Sequence, residues 1–180
     1  MKEVTLARRY ARALVDLGRE GARLLKIEND LVQLARTFQG NRELRIALEN
    51  PAFSKPVREG LLQKLSQTLG WSSDLEKFLI LLVREERIAL LPRIAVAFSE
   101  WVDQALGRLR AEIVSAQPLD RSAEEKLRKA LLEVFGRKEA LLQIQVDPSL
   151  LAGFRAKVGG RFFEGSARGQ LEQLKVVLSV

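Results

Sequence analysis

The sequence predicts a mainly α-helical protein, with an N-terminal six-helix bundle followed by a small α+β C-terminal domain. Apolar residues recur at helical spacing from Thr5 to Ala105. The breaks between these stretches carry capping residues and glycines, which begin and end helices. After Gly107 the pattern changes to the alternation of a strand. We therefore predict two domains, residues 1–105 and 106–180.

The first half of the bundle contains three predicted helices. The first runs from about Thr5 to Leu17 and the second from about Arg23 to Phe38. Gly40 fits a left-handed residue that ends the second helix. Asn41 can then cap a short third helix. This helix should stop at Asn50-Pro51, because the residue before a proline disfavours helical backbone.

The second half of the bundle contains three more predicted helices. Ser54 can cap a fourth helix that ends at Gly70, with Pro56 in its first turn. The segment Ser73-Asp74-Leu75-Glu76 has the spacing of a capping box and opens a fifth helix, which runs to about Glu86. A sixth helix runs from about Pro92 to Ala105, and Gly107 closes it.

The C-terminal part reads as strands and helices in alternation. Leu109 to Ser115 forms the first predicted strand, and a capping box at Ser122 to Glu125 opens a helix that stops at Gly136. The remaining predicted elements are a strand containing Leu142, Ile144 and Val146, a hairpin or bulged strand pair from Phe154 to Phe163 around Gly159-Gly160, and a last helix over Ala167 to Leu178. Parallel pairing of the first two strands would require a right-handed crossover.

Composition argues against an enzyme. The 180 residues include no cysteine and no histidine, which removes disulfides, cysteine nucleophiles, the usual zinc ligands and the commonest proton-transfer group. Gly160 to Gly165 has the glycine spacing of a phosphate-binding loop, but Ser166-Ala167 stands where lysine and a hydroxyl residue are required. We therefore predict no catalytic residue, no cofactor and no metal site.

The chain shows no signal for membrane insertion or secretion. Its first residues turn polar before an apolar block of signal-peptide length, so we expect the mature chain to begin at Met1. The longest apolar run, Phe78 to Val83, is far shorter than the roughly 20 residues that cross a bilayer. Any connection to a membrane is expected to pass through partners.

Net charge leaves two kinds of partner open. The formal charge is +7, with 17 Lys and Arg against 14 Asp and Glu in residues 1–105, and 13 against 9 in residues 106–180. This excess favours acidic partners, and the clusters Arg8-Arg9-Arg12 and Arg108-Arg110 could contact nucleic acid. Aromatic residues are only 6% of the chain, which argues against base-stacking surfaces. A nucleic-acid-binding or general protein adaptor module remains the alternative.

Two predicted helices carry more apolar surface than one core face needs. On the fifth helix, Ile80 and Leu81 lie about 150° and 110° from the centre of the apolar stripe. The first helix has its own stripe, widened to one side by Leu6, Tyr10, Ala13 and Leu17. Two explanations fit this pattern equally well. Both helices could be completely buried within the bundle, or their extra apolar surface could form a groove that receives a partner.

Several segments together resemble a known family. Ala7 to Leu14 (ARRYARAL) resembles the opening helix of F-type ATP synthase delta subunits, a family that includes the mitochondrial oligomycin-sensitivity conferring protein. Further similar segments follow in order and cover nearly the whole chain: Asn50-Pro51, Phe78–Val83, Leu90–Ile94, Val114–Leu119, Val146–Gly153 and Gly165–Leu174. Gly160, Glu164 and Ala167 depart from the residues usual in the family.

The resemblance implies a non-catalytic stator subunit that links the catalytic alpha-beta head to the peripheral stalk. It implies that residues 1–105 bind N-terminal helices of alpha subunits and that residues 106–180 bind the stalk b subunits. One copy in a large hetero-oligomer would resist rotor torque and support proton-coupled ATP synthesis, with no nucleic acid as partner. The expected location is peripheral, on the cytoplasmic face of the cell inner membrane.

The resemblance also gives the surplus apolar residues a use. We hypothesise that Leu6, Tyr10 and Ala13 of the first helix and Ile80 and Leu81 of the fifth form the alpha-subunit binding groove. For the stalk, the positive C-terminal domain as a whole is expected to meet acidic residues of its partner.

Overall fold

The computed structural model describes residues 2–17, 21–148, 150, 154–158 and 161–165. The chain divides into two compact units, residues 1–102 and 103–180. This division lies three residues before the boundary predicted from the sequence. It falls within a helix that runs from Leu91 to Leu106, so no change of secondary structure marks it.

The N-terminal unit contains the six predicted helices. Leu14, Leu31, Leu48, Leu62, Leu79 and Phe98, one from each helix, are fully buried in its core. A short 3₁₀ turn, Ile88–Leu90, precedes the last helix. The helices are α1 Lys2–Leu17, α2 Gly21–Gly40, α3 Arg42–Glu49, α4 Lys55–Leu69, α5 Ser73–Arg84 and α6 Leu91–Leu106.

Several predicted helix ends are confirmed. The Asn41 side chain accepts a hydrogen bond from the backbone N–H of Leu44 at 2.9 Å and so caps α3. Asn50 leaves helical geometry before Pro51. Gly70 ends α4 with φ +66°, a backbone region that glycine enters without steric cost. Ser54 occupies the N-cap position of α4, although its side chain makes no capping hydrogen bond.

The prediction for Gly40 is wrong. Gly40 is the last residue of α2 and does not have a positive φ. The backbone N–H of Asn41 still donates to the carbonyl of Thr37 at 2.8 Å, so the hydrogen-bonding pattern of α2 continues past the glycine. The chain turns at Asn41, whose extended backbone suits its role as the cap of α3.

Both predicted capping boxes begin at the wrong residue. Ser72, not Ser73, accepts from the N–H of Leu75, at 3.3 Å, and α5 ends at Arg84 rather than Glu86. Asp120, not Ser122, caps the helix of the C-terminal unit. In both cases an earlier residue with an equivalent side-chain acceptor has the extended backbone that an N-cap requires.

The C-terminal unit contains a four-stranded sheet in the order β2-β1-β3-β4. Strands β1 and β2 are parallel, with Ala111 opposite Leu142, and helix α7 connects them. Strands β3 and β4 form the predicted antiparallel hairpin. The elements are β1 Arg108–Ser115, α7 Arg121–Phe135, β2 Glu139–Val146, β3 Phe154–Val158 and β4 Arg161–Gly165.

Helix α7 and the sheet share a core. It contains Leu109, Ala111 and Ile113 of β1, together with Leu131 of α7 and Ala156 and Val158 of β3. Alternate β1 residues, Arg110 and Glu112, are exposed, as the pleat of a strand requires. Gly136 ends α7 with φ +59°, as predicted. The predicted helix over Ala167 to Leu178 and the turn at Gly159-Gly160 lie outside the described residues.

Candidate partner-binding surfaces

Helix α1 has a narrow buried stripe and a wider apolar flank. Ala7, Ala11 and Leu14 are almost completely inaccessible to solvent. On the flank predicted to bind a partner, Leu6 and Tyr10 are half-buried and Ala13 is exposed. The flank therefore retains some apolar surface that the bundle does not bury.

That flank is oriented towards α5. The rings of Tyr10 and Phe78 meet edge to face, with centroids 6.3 Å apart and planes at 71°. Leu81 follows Phe78 by three residues, which places it near Phe78 around the helix, and it is exposed. Ile80 is half-buried and lies about 100° from Leu81 around α5. The grouping of all five predicted residues in one groove stays a prediction.

An ion pair holds the turn after α5. Arg58 of α4 has only 2% of its side chain exposed, whereas its partner Glu86 has 47% exposed. The two Nη groups donate to the Glu86 carboxylate at 2.8 and 2.9 Å, and Nη1 also donates to the carbonyl of Leu48 at 3.3 Å. Glu86 has φ +55°, which is unusual for a residue with a side chain. This contact fixes the C-terminal end of α5 relative to α3 and α4.

A second pair, whose arginine is exposed, supports the same end of α5. The Arg84 guanidinium donates to the Glu59 carboxylate at 2.9 Å through Nε and Nη2, and Lys55 donates to the carbonyl of Arg84 at 2.7 Å. Hydrogen bonds from Arg58 and Arg84 lower the pKa of Glu86 and of Glu59 respectively from the ordinary 4.5. Both carboxylates therefore stay ionised to a lower pH than an ordinary glutamate does.

The opposite flank of α1 borders a depression that was not predicted from the sequence. It has a volume of about 360 Å³ and lies between α1 and α6, with Val4 and Val96 exposed in its lining. Arg8 pairs with Glu100 at 3.6 Å, and Glu3 pairs with Arg93 at 2.6 Å. Two residues in the sequence could have indicated this depression. Val96 lies away from the buried stripe of α6, and Val4 lies before the predicted start of α1.

The exposed face of the C-terminal sheet is charged. Lys157 of β3 pairs with Glu112 of β1 at 3.5 Å and lies 6.0 Å from the ring centroid of the exposed Phe162. At the start of this unit Asp103 accepts from two arginines, with 2.8 Å to Arg108 and 2.5 Å to Arg110. This surface therefore offers cationic and aromatic groups to a partner.

Within the described ranges, no group of three or more histidine, cysteine, aspartate or glutamate side chains is arranged to hold a metal ion. No helix among these residues is long and apolar enough to cross a bilayer.

The fold thus defines an interaction protein with two units, one helical with apolar grooves and one α+β with a charged sheet face. Residues 6–178 match the family described as ATP synthase delta (OSCP) subunit. The chain belongs to this family.

Relatives in several bacteria match over nearly their whole length. The ATP synthase subunit delta of Anaeromyxobacter dehalogenans strain 2CP-1 is 40% identical over 174 residues, 97% of each chain. That of Myxococcus xanthus is 37% identical over 177 residues, also 97% of each chain. That of Geotalea uraniireducens is 33% identical over 178 residues, covering 99% of this chain and 98% of the relative.

The fold has a counterpart in a solved assembly. A chain in the cryo-EM structure of the Toxoplasma gondii mitochondrial ATP synthase hexamer matches with a TM-score of 0.68 and 22% identity, over 97% of this chain and 98% of that chain. At this identity the similarity supports the fold alone.

Family membership settles the general role. The protein is a non-catalytic stator subunit of an F-type ATP synthase and a component of that membrane-associated complex. The resemblance found in the sequence is therefore confirmed, whereas the nucleic-acid alternative receives no support.

Proposed function

We propose that the N-terminal unit binds the N-terminal helix of an alpha subunit along the α1 flank that adjoins α5. The observation that carries this proposal is the contact of Tyr10 with Phe78, beside the exposed Ala13 and Leu81. An amphipathic helix laid on this surface would bury apolar area at about 25 cal/mol per Å². The small side chain of Ala13 would let the partner backbone come close.

The second part of the proposal concerns the stalk. The C-terminal unit binds the b subunits through the excess positive charge of residues 106–180, which hold 13 Lys and Arg against 9 Asp and Glu. One copy, bound at both ends, would hold the alpha-beta head against the torque of the rotor. The protein would then be located at the cytoplasmic face of the inner membrane through these contacts.

The alpha contact is tested by a charge placed in the apolar flank. Ala13→Asp should weaken binding of an alpha N-terminal peptide to the full chain by about tenfold or more, because the carboxylate would lose water without gaining a partner. Gln63→Glu, on the exposed side of α4, changes the net charge equally and should bind like the unsubstituted chain. Unchanged affinity for Ala13→Asp would contradict this assignment.

A further inference from the structure

The outer edge of strand β2 carries backbone groups that point away from the sheet. β2 lies at one end of the strand order, and within the described ranges no strand pairs with its outer side. The N–H of Asp147 donates to the carbonyl of Ser115 at 2.9 Å, so odd-numbered residues here direct their backbone groups to β1. The even-numbered residues therefore direct theirs outwards: Ala140, Leu142, Ile144 and Val146.

Arg128 of α7 agrees with this alternation and shortens the open edge. Its Nη1 donates to the carbonyl of Ala140, so a side chain of the same unit already occupies the edge at the start of β2. The open edge therefore runs from Leu142 to Val146, with Ile144 at its centre. Its side chains leave room for a second strand, because Val146 is 46% exposed and the glutamines between these residues are exposed.

The open edge lacks the features that usually prevent edge strands from pairing. Natural edge strands carry charged residues, proline or a bulge. β2 pairs with β1 residue for residue from Glu139 to Val146 and so has no bulge, and residues 140–146 (ALLQIQV) include no charge, proline or glycine. In contrast, β4 at the other end of the strand order carries Arg161 and Glu164. A neutral segment such as 140–146 readily pairs with another strand.

A second copy of this chain complements this edge. A two-fold axis at Ile144 sets the two β2 strands antiparallel and places Leu142 opposite Val146 of the other copy. Gln143 then lies opposite Gln145 of the other copy, where the two side-chain amides can exchange hydrogen bonds. The outward backbone groups exchange about six hydrogen bonds, and no like charges meet.

The neighbouring register is less favourable. An axis at Gln143 would bring Ala140 into the pairing, although Arg128 already occupies its carbonyl. It would also set Glu139 opposite Asp147 of the other copy, and like charges directly opposite each other destabilise a strand pair. The axis at Ile144 avoids both conflicts.

We propose that the chain, when it is not part of the complex, forms a two-fold dimer by antiparallel pairing of its β2 edges about Ile144. The two four-stranded sheets become one continuous sheet. Two short strands form a small contact, so we expect a dissociation constant on the order of 0.1 mM. The proposal does not depend on the alpha-subunit and b-subunit contacts proposed above.

Sedimentation equilibrium of the full chain tests it, over concentrations from about 0.01 to 1 mM. The average mass should rise from that of one chain towards twice that value and no further, because a two-fold contact closes on itself.

Substitutions at the glutamines tie the dimer to the β2 edge. Gln143→Lys/Gln145→Lys sets lysine opposite lysine and should weaken dimerisation by about tenfold. Gln143→Lys/Gln145→Glu sets lysine opposite glutamate and should dimerise at least as well as the unsubstituted chain. Gln63→Lys/Gln67→Lys adds the same charge on the exposed side of α4 and should change the dissociation constant by less than about twofold. Circular dichroism checks that each variant folds.

Introduced cysteines report the register, because the chain contains no cysteine of its own. A mixture of Gln143→Cys and Gln145→Cys chains should form an intermolecular disulfide at least about fivefold faster than either variant alone, since only the mixed pair lies directly opposite across the axis.

Three results would overturn the proposal. A single-chain mass at the highest concentration would show that β2 does not pair between copies. Growth beyond two copies would exclude a closed two-fold contact. Equal disulfide rates in the mixture and in the separate variants would exclude the pairing about Ile144.

Discussion

The two units of the protein expose different chemistry. In the N-terminal unit, apolar side chains such as Val57 and Val96 are exposed beside grooves between helices. In the C-terminal unit, the exposed sheet face carries charged side chains such as Arg110, Glu112 and Lys157. One unit is therefore suited to partners that bury apolar area, and the other to partners selected by charge.

The difference follows from the periodicity of the elements. Along β1, side chains alternate strictly between two faces, so Leu109, Ala111 and Ile113 are buried while Arg110 and Glu112 face outwards. A helix distributes its residues around a full circle, and an apolar stripe can be wider than the surface a neighbouring helix covers. Surplus apolar surface is therefore easier to build on helices.

Each unit also has a nearly buried arginine that is paired with a carboxylate. The two ion pairs differ in how exposed the carboxylate is. Arg108 and Asp103 in the C-terminal unit are 8% and 13% exposed, whereas Glu86, the partner of Arg58, is 47% exposed. The N-terminal pair therefore combines a buried charge with a counter-charge from the surface.

The largest expected effect comes from removing that counter-charge. Glu86→Ala should lower the melting temperature of the N-terminal unit by more than about 5 °C, because it leaves the Arg58 guanidinium buried without its carboxylate. Hydrogen exchange at the core amides of each unit would locate the loss. Glu59→Ala is the control: it leaves Arg84, which is 60% exposed, in contact with water, and should shift melting by less than about 2 °C. Equal effects would contradict the role given to Arg58.

The salt dependence of partner binding should distinguish the two units, and this is the second-largest expected effect. Raising the ionic strength from about 0.05 to 0.5 M should weaken binding of a soluble b-subunit segment by about tenfold, because the proposed contact relies on charge. Binding of the alpha peptide should change by less than about twofold over the same range. Titration of the full chain at both salt concentrations measures this, and the same salt dependence for both partners would remove the distinction between the units.

Two glycines should respond in opposite directions. Gly60→Ala should stabilise the chain by about 0.5 to 1 kcal/mol, since the added methyl group meets open space in a helix interior. Gly136→Ala should destabilise it by about 1 kcal/mol, because Gly136 ends α7 at φ +59°. Urea denaturation measures both changes. A destabilising Gly60→Ala would show that α4 itself needs the glycine.

The smallest expected effect is at acid pH. The pKa of Glu86 is lowered in the folded chain, so its stabilising contribution is complete above the ordinary 4.5 and is lost as the pH falls through the lowered folded value. Glu86→Gln removes this titration. Its melting temperature should therefore fall less between about pH 5 and pH 3 than that of the unsubstituted chain. Parallel curves would exclude Glu86 as a source of acid sensitivity.

Sequence periodicity was sufficient for the helices and strands in the described part of the chain, because they are long enough to display their patterns. Helix ends were harder, because Ser72 and Ser73 offer equivalent acceptors and only the backbone of Ser72 is extended. Gly40 fails for a related reason: a glycine permits a left-handed turn without requiring it.

The candidate site was predictable in part. The excess apolar residues of α1 and α5 can be read from a helical projection, whereas their grouping in one partner groove stays a prediction. The ion pair between Arg58 and Glu86 joins residues 28 positions apart in the sequence. The depressions at Val57 and Val96 depend on which helices are neighbours. Such long-range features require the tertiary fold.

The most direct test of the central claim is a calorimetric titration of the full chain with an alpha N-terminal peptide at several temperatures. We predict saturable one-to-one binding with a negative heat-capacity change, the mark of apolar burial. Absence of binding by a chain shown to be folded, or binding with no change in heat capacity, would contradict the assignment of the N-terminal unit as an apolar docking surface.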